Sequence, residues 1–516
     1  MKIDRRKFLV NSATLTALTS ILPTHLALAF EQEVSSNSLA KDPRRPQFHL
    51  LPARNWMNDP NGPIYWNGKY HMFFQYNPHA AVWGDMHWYH SVSPDMVHWK
   101  HLPVAFAPTP GGPDSEGVFT GTAVVQDGQV VVLYTAVRSV PEEQATIRDG
   151  AHSLLETQCL ATTTDPELKT WSKLPTPVLA APPPGMQVNG FRDPSPWRQG
   201  DGWYMVLGSG IENKGGAVLL YKSKNLRSWE FVHILAGRDG FGAHSPEPFD
   251  PWEVWECPDF FPLGKKHVLI CSVAGKAYWQ SGTLDPATMQ FQSEHSGLLD
   301  YGSYYAPKTQ LDKNGNRIIW GWITESRPEA EFKAAGWAGL MSLPRVLTLD
   351  TEGRLRTRVA SEVDQLRGRE QKLDGTALEA AKASQIAAMR IEAYSGEVLC
   401  TARRANDPYA LALQSADGAT TWIALKYDPL HPNQIMVDAR PLPISLEEGE
   451  DLELHFYVDG SVIELFVNKR AAWTKRFYPA GSSAQDLRLS WTGKTANLHS
   501  LSVWQMSPIS ADRLTT

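Results

Sequence analysis

The strongest constraint on this chain is a short turn that keeps returning. Ser93-Pro94-Asp95-Met96-Val97-His98-Trp99 is echoed by Thr164-Asp165-Pro166-Glu167-Leu168-Lys169-Thr170-Trp171 and by Ser223-Lys224-Asn225-Leu226-Arg227-Ser228-Trp229. A weaker copy is Leu284-Asp285-Pro286-Ala287-Thr288-Met289-Gln290-Phe291. The period of roughly 60–70 residues marks a repeat architecture, with units somewhat longer than common propeller blades. Between the copies lie strand patterns such as Val130-Val131-Val132-Leu133-Tyr134 and Trp203-Tyr204-Met205-Val206-Leu207, and helical periodicity is scarce. A second motif opens each unit and runs into an apolar strand: Asn58-Asp59-Pro60, Phe119-Thr120-Gly121-Thr122, Arg192-Asp193-Pro194, Glu256-Cys257-Pro258 and Tyr304-Tyr305-Ala306-Pro307. Five openings predict a five-bladed β-propeller, an all-β fold in which the innermost strand of every blade lines one central channel. Carboxylates far apart in sequence can meet there.

The rest of the chain divides around this unit. Asp4-Arg5-Arg6-Lys7-Phe8-Leu9, a mildly apolar stretch from Val10 to Leu28 and the closing Ala27-Leu28-Ala29 read as a twin-arginine export signal over residues 1–29, cleaved after Ala29. This predicts a bacterial protein sent to the periplasm or the medium. It predicts no membrane anchor in the mature chain, because Asn11, Ser12, Pro23 and His25 interrupt the apolar run. Residues 30–45 are polar and read as a flexible lead-in. The propeller is expected over 46–350, a linker with a short helix over 351–385, and a C-terminal β-sandwich over 386–510. In the last, Leu452–Val458 and Val462–Val467 flank Asp459-Gly460, a hairpin signal.

Cys159, Cys257, Cys271 and Cys400 fit neither a zinc spacing nor a dense disulfide framework, and cargo that folds before export is expected to carry them as free buried thiols. Charged residues make up 20% of the chain, the formal net charge is −6, and no long basic run exists, which argues against nucleic acid as a partner. No feature sets an oligomeric state. Many of the 19 tryptophans stand beside Gly, Asp or Asn, where a flat ring can stack on a sugar face, although core packing accounts for most of them.

Three of the five openings carry an acid: Asp59, Asp193 and Glu256. Cleaving a glycosidic bond takes two carboxyl groups with different tasks, one attacking or activating water and one protonating the leaving oxygen. A third carboxylate can hold sugar hydroxyls and stabilise positive charge in the transition state. Arg192 beside Asp193 is expected to keep that acid ionised. Glu256, crowded by Trp255 and Phe260 and facing an anionic neighbour, is expected to have a raised pKa, as a general acid requires.

With Trp56-Met57-Asn58-Asp59-Pro60-Asn61-Gly62, Arg192-Asp193-Pro194 and Trp255-Glu256-Cys257-Pro258 in this order and spacing, the chain resembles glycoside hydrolase family 32, the invertases, inulinases, levanases and fructan exohydrolases. Further matches are Phe73-Phe74-Gln75-Tyr76-Asn77-Pro78, Trp83-Gly84, Phe119-Thr120-Gly121-Thr122, Asp300 with Tyr304-Tyr305-Ala306, Trp337-Ala338-Gly339 with Pro344-Arg345, and Val458 to Phe466 in the second domain. Any one tripeptide is weak; the ordered set covers nearly all of the mature chain. The resemblance implies a five-bladed propeller joined to a β-sandwich and a retaining mechanism on β-fructofuranosides, whose substrate is sucrose or a fructan such as levan or inulin. Carried over residue by residue, Asp59 is the nucleophile, Glu256 the acid and then the base, and Asp193 the transition-state stabiliser acting with Arg192. Asn58, Gln75, Trp83, Phe119 and Thr120, with Tyr305 and Trp322, would line the fructose pocket. A retaining pair stands about 5–5.5 Å apart, and the chemistry calls for no metal or cofactor.

Trp88-Tyr89-His90 and Tyr134-Thr135-Ala136 depart from the common Trp-Gly-His and Tyr-Thr-Gly of that family. Ser139 to Glu156 reads as a polar insertion and Gly237 to Trp252 as a loop rich in Gly, Pro and aromatics, and both are expected on the rim, shaping the leaving-group subsite. Two other outcomes fit the same residues: a fructosyltransferase that passes the intermediate to another sugar, and a sugar-binding protein without catalysis, against which the presence of all three acids argues.

Overall fold

The repeated turn folds the same way in each copy. This computed structural model describes residues 34–148, 153–247, 249–374, 383–481 and 485–514; residues 1–29, where an export signal is expected, lie outside them. In the first three copies an Asp or Asn side chain collects backbone amides: Asp95 Oδ1 from Val97 and His98, Asp165 from Glu167, Lys169 and Thr170, and Asn225 Oδ1 from Arg227 and Ser228. The closing indole donates to the carbonyl three residues back, Trp99 to Met96, Trp171 to Leu168 and Trp229 to Leu226. Met96, Leu168, Leu226 and Met289 are thereby held at φ +67°, +54°, +62° and +59°, and each buries its side chain. Each turn links the third and fourth strands of one blade.

Among the described residues there are five blade sheets and two further six-stranded sheets. The inner strands of blades I to V are Asn55–Trp66, Gly117–Gln126, Val188–Gln199, Glu256–Leu263 and Tyr305–Leu311. Each packs against the next and the fifth packs against the first, closing the ring around a channel. A latch joins its ends: Trp337–Ala338 pairs in parallel with the inner strand of blade I, while Leu340–Met341 pairs with the second strand of blade V.

Two expectations about connecting segments are corrected. The linker expected over 351–385 is structured where it is described, and its residues 375–382 lie outside the described residues. Leu355–Val359 is the outer strand of blade V, Ser361–Leu366 is a short 3-10 helix, and Arg367–Asp374 is an edge strand of the C-terminal sheet beside Leu498–Met506, where pairing with a partner strand prevails over a charged sequence. The lead-in, where described, is anchored. Ser36–Lys41 forms a short helix capped by Ser35, Leu39 is buried, and Trp337 Nε1 donates to Asp42 at 3.0 Å.

The C-terminal sheets face each other over an apolar core that includes Val398, Leu411, Leu425, Phe456, Leu489 and Val503. The anticipated hairpin pairs Leu452–Asp459 with Val462–Val467. It also carries the contact with the propeller. Asp459 accepts the amides of Gln47, Phe48 and His49, while His49 bridges Asp459 and Glu464 at 2.8 and 2.9 Å. Arg345 reaches Asp300 Oδ2 at 3.0 Å, Glu464 Oε2 at 3.0 Å through Nε, and Thr474 Oγ1 at 2.8 Å. Every member of this group is buried, so each charge depends on the others for its solvation.

Candidate active site

The openings of all five inner strands are β-bulges. The pairing register of each inner strand with its neighbour breaks between Met57 and Pro60, Val118 and Gly121, Arg192 and Ser195, Glu256 and Asp259, and Tyr305 and Lys308. A bulge leaves residues unpaired and re-aims their side chains. Here it does so at the same level of five strands around one channel. In four of the five openings a proline (Pro60, Pro194, Pro258 or Pro307) removes an amide that a regular ladder would need. Asp193, Cys257 and Ala306, each just before a proline, take φ of +64°, +51° and +51°. Such values are sparsely populated for side chains other than glycine and persist where the surroundings over-determine them.

The residues at these breaks make two tiers. The outer tier is Asn58, Phe119, Arg192, Glu256 and Tyr305. Arg192 Nη1 donates to Glu256 Oε1 at 3.1 Å, and the Tyr305 hydroxyl donates to Glu256 Oε2 at 2.5 Å. The Arg192 and Glu256 side chains keep 16% and 12% exposure, enough to meet a ligand. The inner tier, Asp59, Thr120, Asp193, Cys257 and Ala306, is buried. Thr120 Oγ1 donates to Asp59 Oδ2 at 3.0 Å, and the Cys257 thiol faces the same oxygen at 3.5 Å. The Cys257 amide donates to Asp193 Oδ2 at 2.7 Å. Asn58 joins the tiers, accepting from Trp56 Nε1 at 2.8 Å and donating to Asp59 Oδ1 at 3.0 Å. The three acids of blades I, III and IV thus belong to one set of contacts.

The aromatic candidates surround this set. Trp322 packs edge-on against Trp56 and Tyr305, and Trp83 against Phe119, within one apolar cluster that also holds Cys257 and Ala306. Gln75 stands behind them. It is buried, and its amide nitrogen donates to the Val118 carbonyl at 3.0 Å, bracing the inner strand of blade II just before Phe119.

One electrostatic expectation is reversed. Burial pushes Asp193 up to about 7, and the nearby Glu256 charge adds to the rise, against the pull of Arg192 and Lys308. Arg192 sits next to Asp193 in sequence, yet its guanidinium is turned to Glu256 and to Glu156, whose Oε1 lies 2.5 Å from Nε. Adjacent residues on a strand point to opposite sides, so sequence neighbours are poor partners.

The sequence assigns no bracing role to the residues that hold the acids. Thr135 Oγ1 accepts the Asp193 amide at 2.8 Å and donates to Gln158 Oε1, and Gln158 holds the Phe191 carbonyl. Buried Lys308 donates to the Pro258 carbonyl at 2.9 Å. Thr135, a polar residue inside the apolar run Val130–Val137, carries the clearest signal. Of the expected insertion Ser139 to Glu156, residues 149–152 lie outside the described residues, and its last residues belong to a blade strand. Ser153–Thr163 is the third strand of blade II, and Glu156 at the former insertion's end is wholly buried. Gly237 to Trp252 does lie ahead of Glu256 as a loop, holding the short helix Arg238–His244 and presenting Phe249 and Trp252 to solvent. All four cysteines are free and buried. Among the described residues no group of His, Cys, Asp and Glu is arranged to hold a metal, and no helix is long and apolar enough to cross a membrane.

Comparison with known proteins places this geometry. Residues 49–358 match the glycosyl hydrolases family 32 N-terminal domain and residues 362–505 the family 32 C-terminal domain. The chain is 33% identical over 500 residues to a sucrose-6-phosphate hydrolase of Escherichia coli, covering 92% of this chain and 98% of that protein. It is 32% identical to an acid beta-fructofuranosidase of Vicia faba, covering 90% of this chain and 81% of that protein. Among solved structures, fructan 1-exohydrolase IIa from Cichorium intybus superposes with a TM-score of 0.74 at 26% identity, over 90% of this chain and 98% of that one. A Bombyx mori GH32 beta-fructofuranosidase does so with a TM-score of 0.74 at 27% identity, over 92% and 97%.

Proposed function

The chain belongs to glycosyl hydrolase family 32, and we propose that it is a retaining β-fructofuranosidase that releases terminal fructose from sucrose or fructans through a covalent fructosyl-enzyme intermediate. The observation that carries this reading is the convergence of equivalent bulges of three blades, where Cys257, next to Glu256 in the chain, contacts both Asp59 and Asp193.

In this reading the tiers divide the work. Asp59 lies in the buried inner tier, its carboxylate fixed by Asn58 and Thr120, and attacks the anomeric carbon. Glu256 lies in the more exposed outer tier, where a leaving oxygen arrives. It gives that oxygen a proton and then takes one from the water that releases fructose. Asp193 holds fructose hydroxyls. Burial raises the proton affinity of its carboxyl, but it is tied to the Cys257 amide in the inner tier, away from a leaving group at the mouth. Glu256 is therefore the better-placed acid. Asn58, Thr120, Arg192, Trp83, Phe119, Tyr305 and Trp322 shape the pocket, with Gln75 supporting it from behind. Export by the twin-arginine route belongs to the same reading and rests on Arg5-Arg6 and the following apolar run.

The test is a product profile over time on sucrose, sucrose 6-phosphate, inulin and levan with purified mature protein. Free fructose from the earliest points on the polymers supports exo-hydrolysis, and relative rates name the substrate. Products larger than the substrate would make the enzyme a transferase, and no product from any substrate would overturn the catalytic reading.

A further inference from the structure

Arg192 stands between two glutamates. Its Nη1 reaches Glu256 Oε1 at 3.1 Å, and its Nε faces Glu156 Oε1 at 2.5 Å. Glu156 is wholly buried and doubly held: Oε2 accepts the Phe191 amide at 2.6 Å and the Thr146 hydroxyl at 3.1 Å. Thr146 is itself fixed, since its carbonyl accepts the Gly190 amide at 2.8 Å and its hydroxyl accepts the Glu156 amide at 3.0 Å. The polar stretch that looked like an insertion therefore closes onto the inner strand of blade III beside the outer-tier residues. A buried carboxylate with this many fixed donors has one orientation, and that orientation aims it at the guanidinium.

The charge arrangement has a consequence for the acid. A lone guanidinium in contact with a carboxyl group favours its ionised form, by one to three pH units at such distances. A general acid has to stay protonated until the leaving oxygen arrives. Arg192 beside Glu256 would work against this unless its charge were met elsewhere. The other charged or titratable groups around Glu256 are Asp193 on blade III, Cys257 beside it and Tyr305 on blade V, with Asp59 and Lys308 facing Cys257 from behind. Glu156, from blade II, is in direct contact with the Arg192 guanidinium.

We propose that Glu156 is a positioning residue of the reaction: it holds Arg192 in place and takes up its charge, so that Arg192 can grip a fructose hydroxyl without stripping the proton from Glu256. This rests on the reading of Glu256 as the acid.

The test is the pH dependence of kcat/KM for Glu156→Gln. The amide has the shape of the carboxylate and lacks its charge. The expected result is an alkaline limb moved to lower pH by about 1 unit, and in the double variant with Arg192→Gln a limb back near its wild-type position. A residue that only braces the chain would lower stability and rate and leave the limb where it is, which would overturn the proposal, as would a shift to higher pH. Should Glu156→Gln fail to fold, Glu156→Asp draws the charge back from the guanidinium. It is expected to move the limb the same way by less, and an unmoved limb overturns the proposal. Glu256→Gln, assayed with an activated aryl β-fructofuranoside, separates the two readings. Loss of its alkaline limb supports Glu256 as the acid whatever Glu156 does, and a retained limb overturns that assignment and this proposal with it.

Discussion

The thiol of Cys257 lies 3.5 Å from Asp59 Oδ2, bringing together residues 198 apart in the chain. The amide of the same cysteine donates to Asp193. One buried residue of blade IV thus ties the acid of blade I to the acid of blade III, and the left-handed backbone at Cys257, φ +51°, is what turns both groups inward. The catalytic reading depends on this convergence.

Asp59→Ala removes the attacking group and leaves Asn58, Thr120 and Cys257 in place. Turnover of sucrose is expected to fall by about 10⁴-fold or more, with the thermal midpoint little changed. Steady-state kinetics with circular dichroism on the same sample check it, and a loss of less than about tenfold would remove Asp59 from the nucleophile role.

Asp193 begins the cycle with a high proton affinity, about 7, because burial outweighs Arg192 and Lys308. Sugar hydroxyls donating to its carboxylate favour the charged form and bring the pKa down. Near pH 6.5 the free enzyme therefore carries part of a proton that the complex does not, so binding of fructose is expected to release protons. The release should shrink well above pH 8, where Asp193 is already ionised. Titration calorimetry in buffers of different ionisation enthalpy measures this; proton uptake, or none at any pH, contradicts it.

How much of this was readable beforehand follows from which interactions are local. The turn from Asp95 to Trp99 is written in adjacent residues, since one carboxylate and one indole close it, and so the repeat and the blade count could be read. The openings at Asp59, Asp193 and Glu256 were legible for the same reason. Glu156, Thr135 and Lys308 were not, because their importance lies in partners on other blades. Likewise Arg192 was paired with its sequence neighbour Asp193, whereas the strand turns it to Glu156 and Glu256. The edge strand Arg367–Asp374 looked like linker because its charged residues face solvent and only its pairing with Leu498–Met506 makes it a strand.

The loop ahead of Glu256 offers Phe249 and Trp252, both exposed. Arg238 ties the loop down through Glu253, at 3.1 and 2.9 Å, and stacks on Phe249, while Asn189 donates to the Trp252 carbonyl at 2.6 Å. Four residues of extended chain reach at most about 14 Å, so Trp252 stands within a few sugar units of the acid. Trp252→Ala is expected to raise KM on fructans by roughly three- to tenfold, the worth of one ring stack, and to leave sucrose kinetics nearly unchanged. Equal effects on both substrates, or none, would make the ring a bystander.

The contact between propeller and sandwich carries a stability prediction. Arg345→Met leaves Asp300 and Glu464 buried without their guanidinium, at a cost of about 3–5 kcal/mol, read as a lower denaturant midpoint. Burial alone would lower the pKa of His49, but Asp459 and Glu464 more than offset it and raise it above the ordinary value. Its contribution is therefore complete below the unfolded value of about 6.5 and is lost as pH rises through the folded one. Burial would raise Glu464, but Arg345 and His49 bring it to about 2, so its contribution is present above the unfolded value and lost as pH falls toward 2. His49→Gln is expected to destabilise more at pH 6 than at pH 9; urea midpoints at both pH values decide, and an equal or opposite difference contradicts the assignment.

Stereochemistry tests the central claim most directly. Sucrose cleaved in aqueous methanol lets the solvent intercept the fructosyl group, and proton NMR identifies the anomer formed. Attack by Asp59 followed by displacement of that ester predicts methyl β-D-fructofuranoside from the wild type and none from Asp59→Ala. Methyl α-D-fructofuranoside would mean a single inversion without a covalent intermediate, and would contradict the roles given to Asp59 and Glu256.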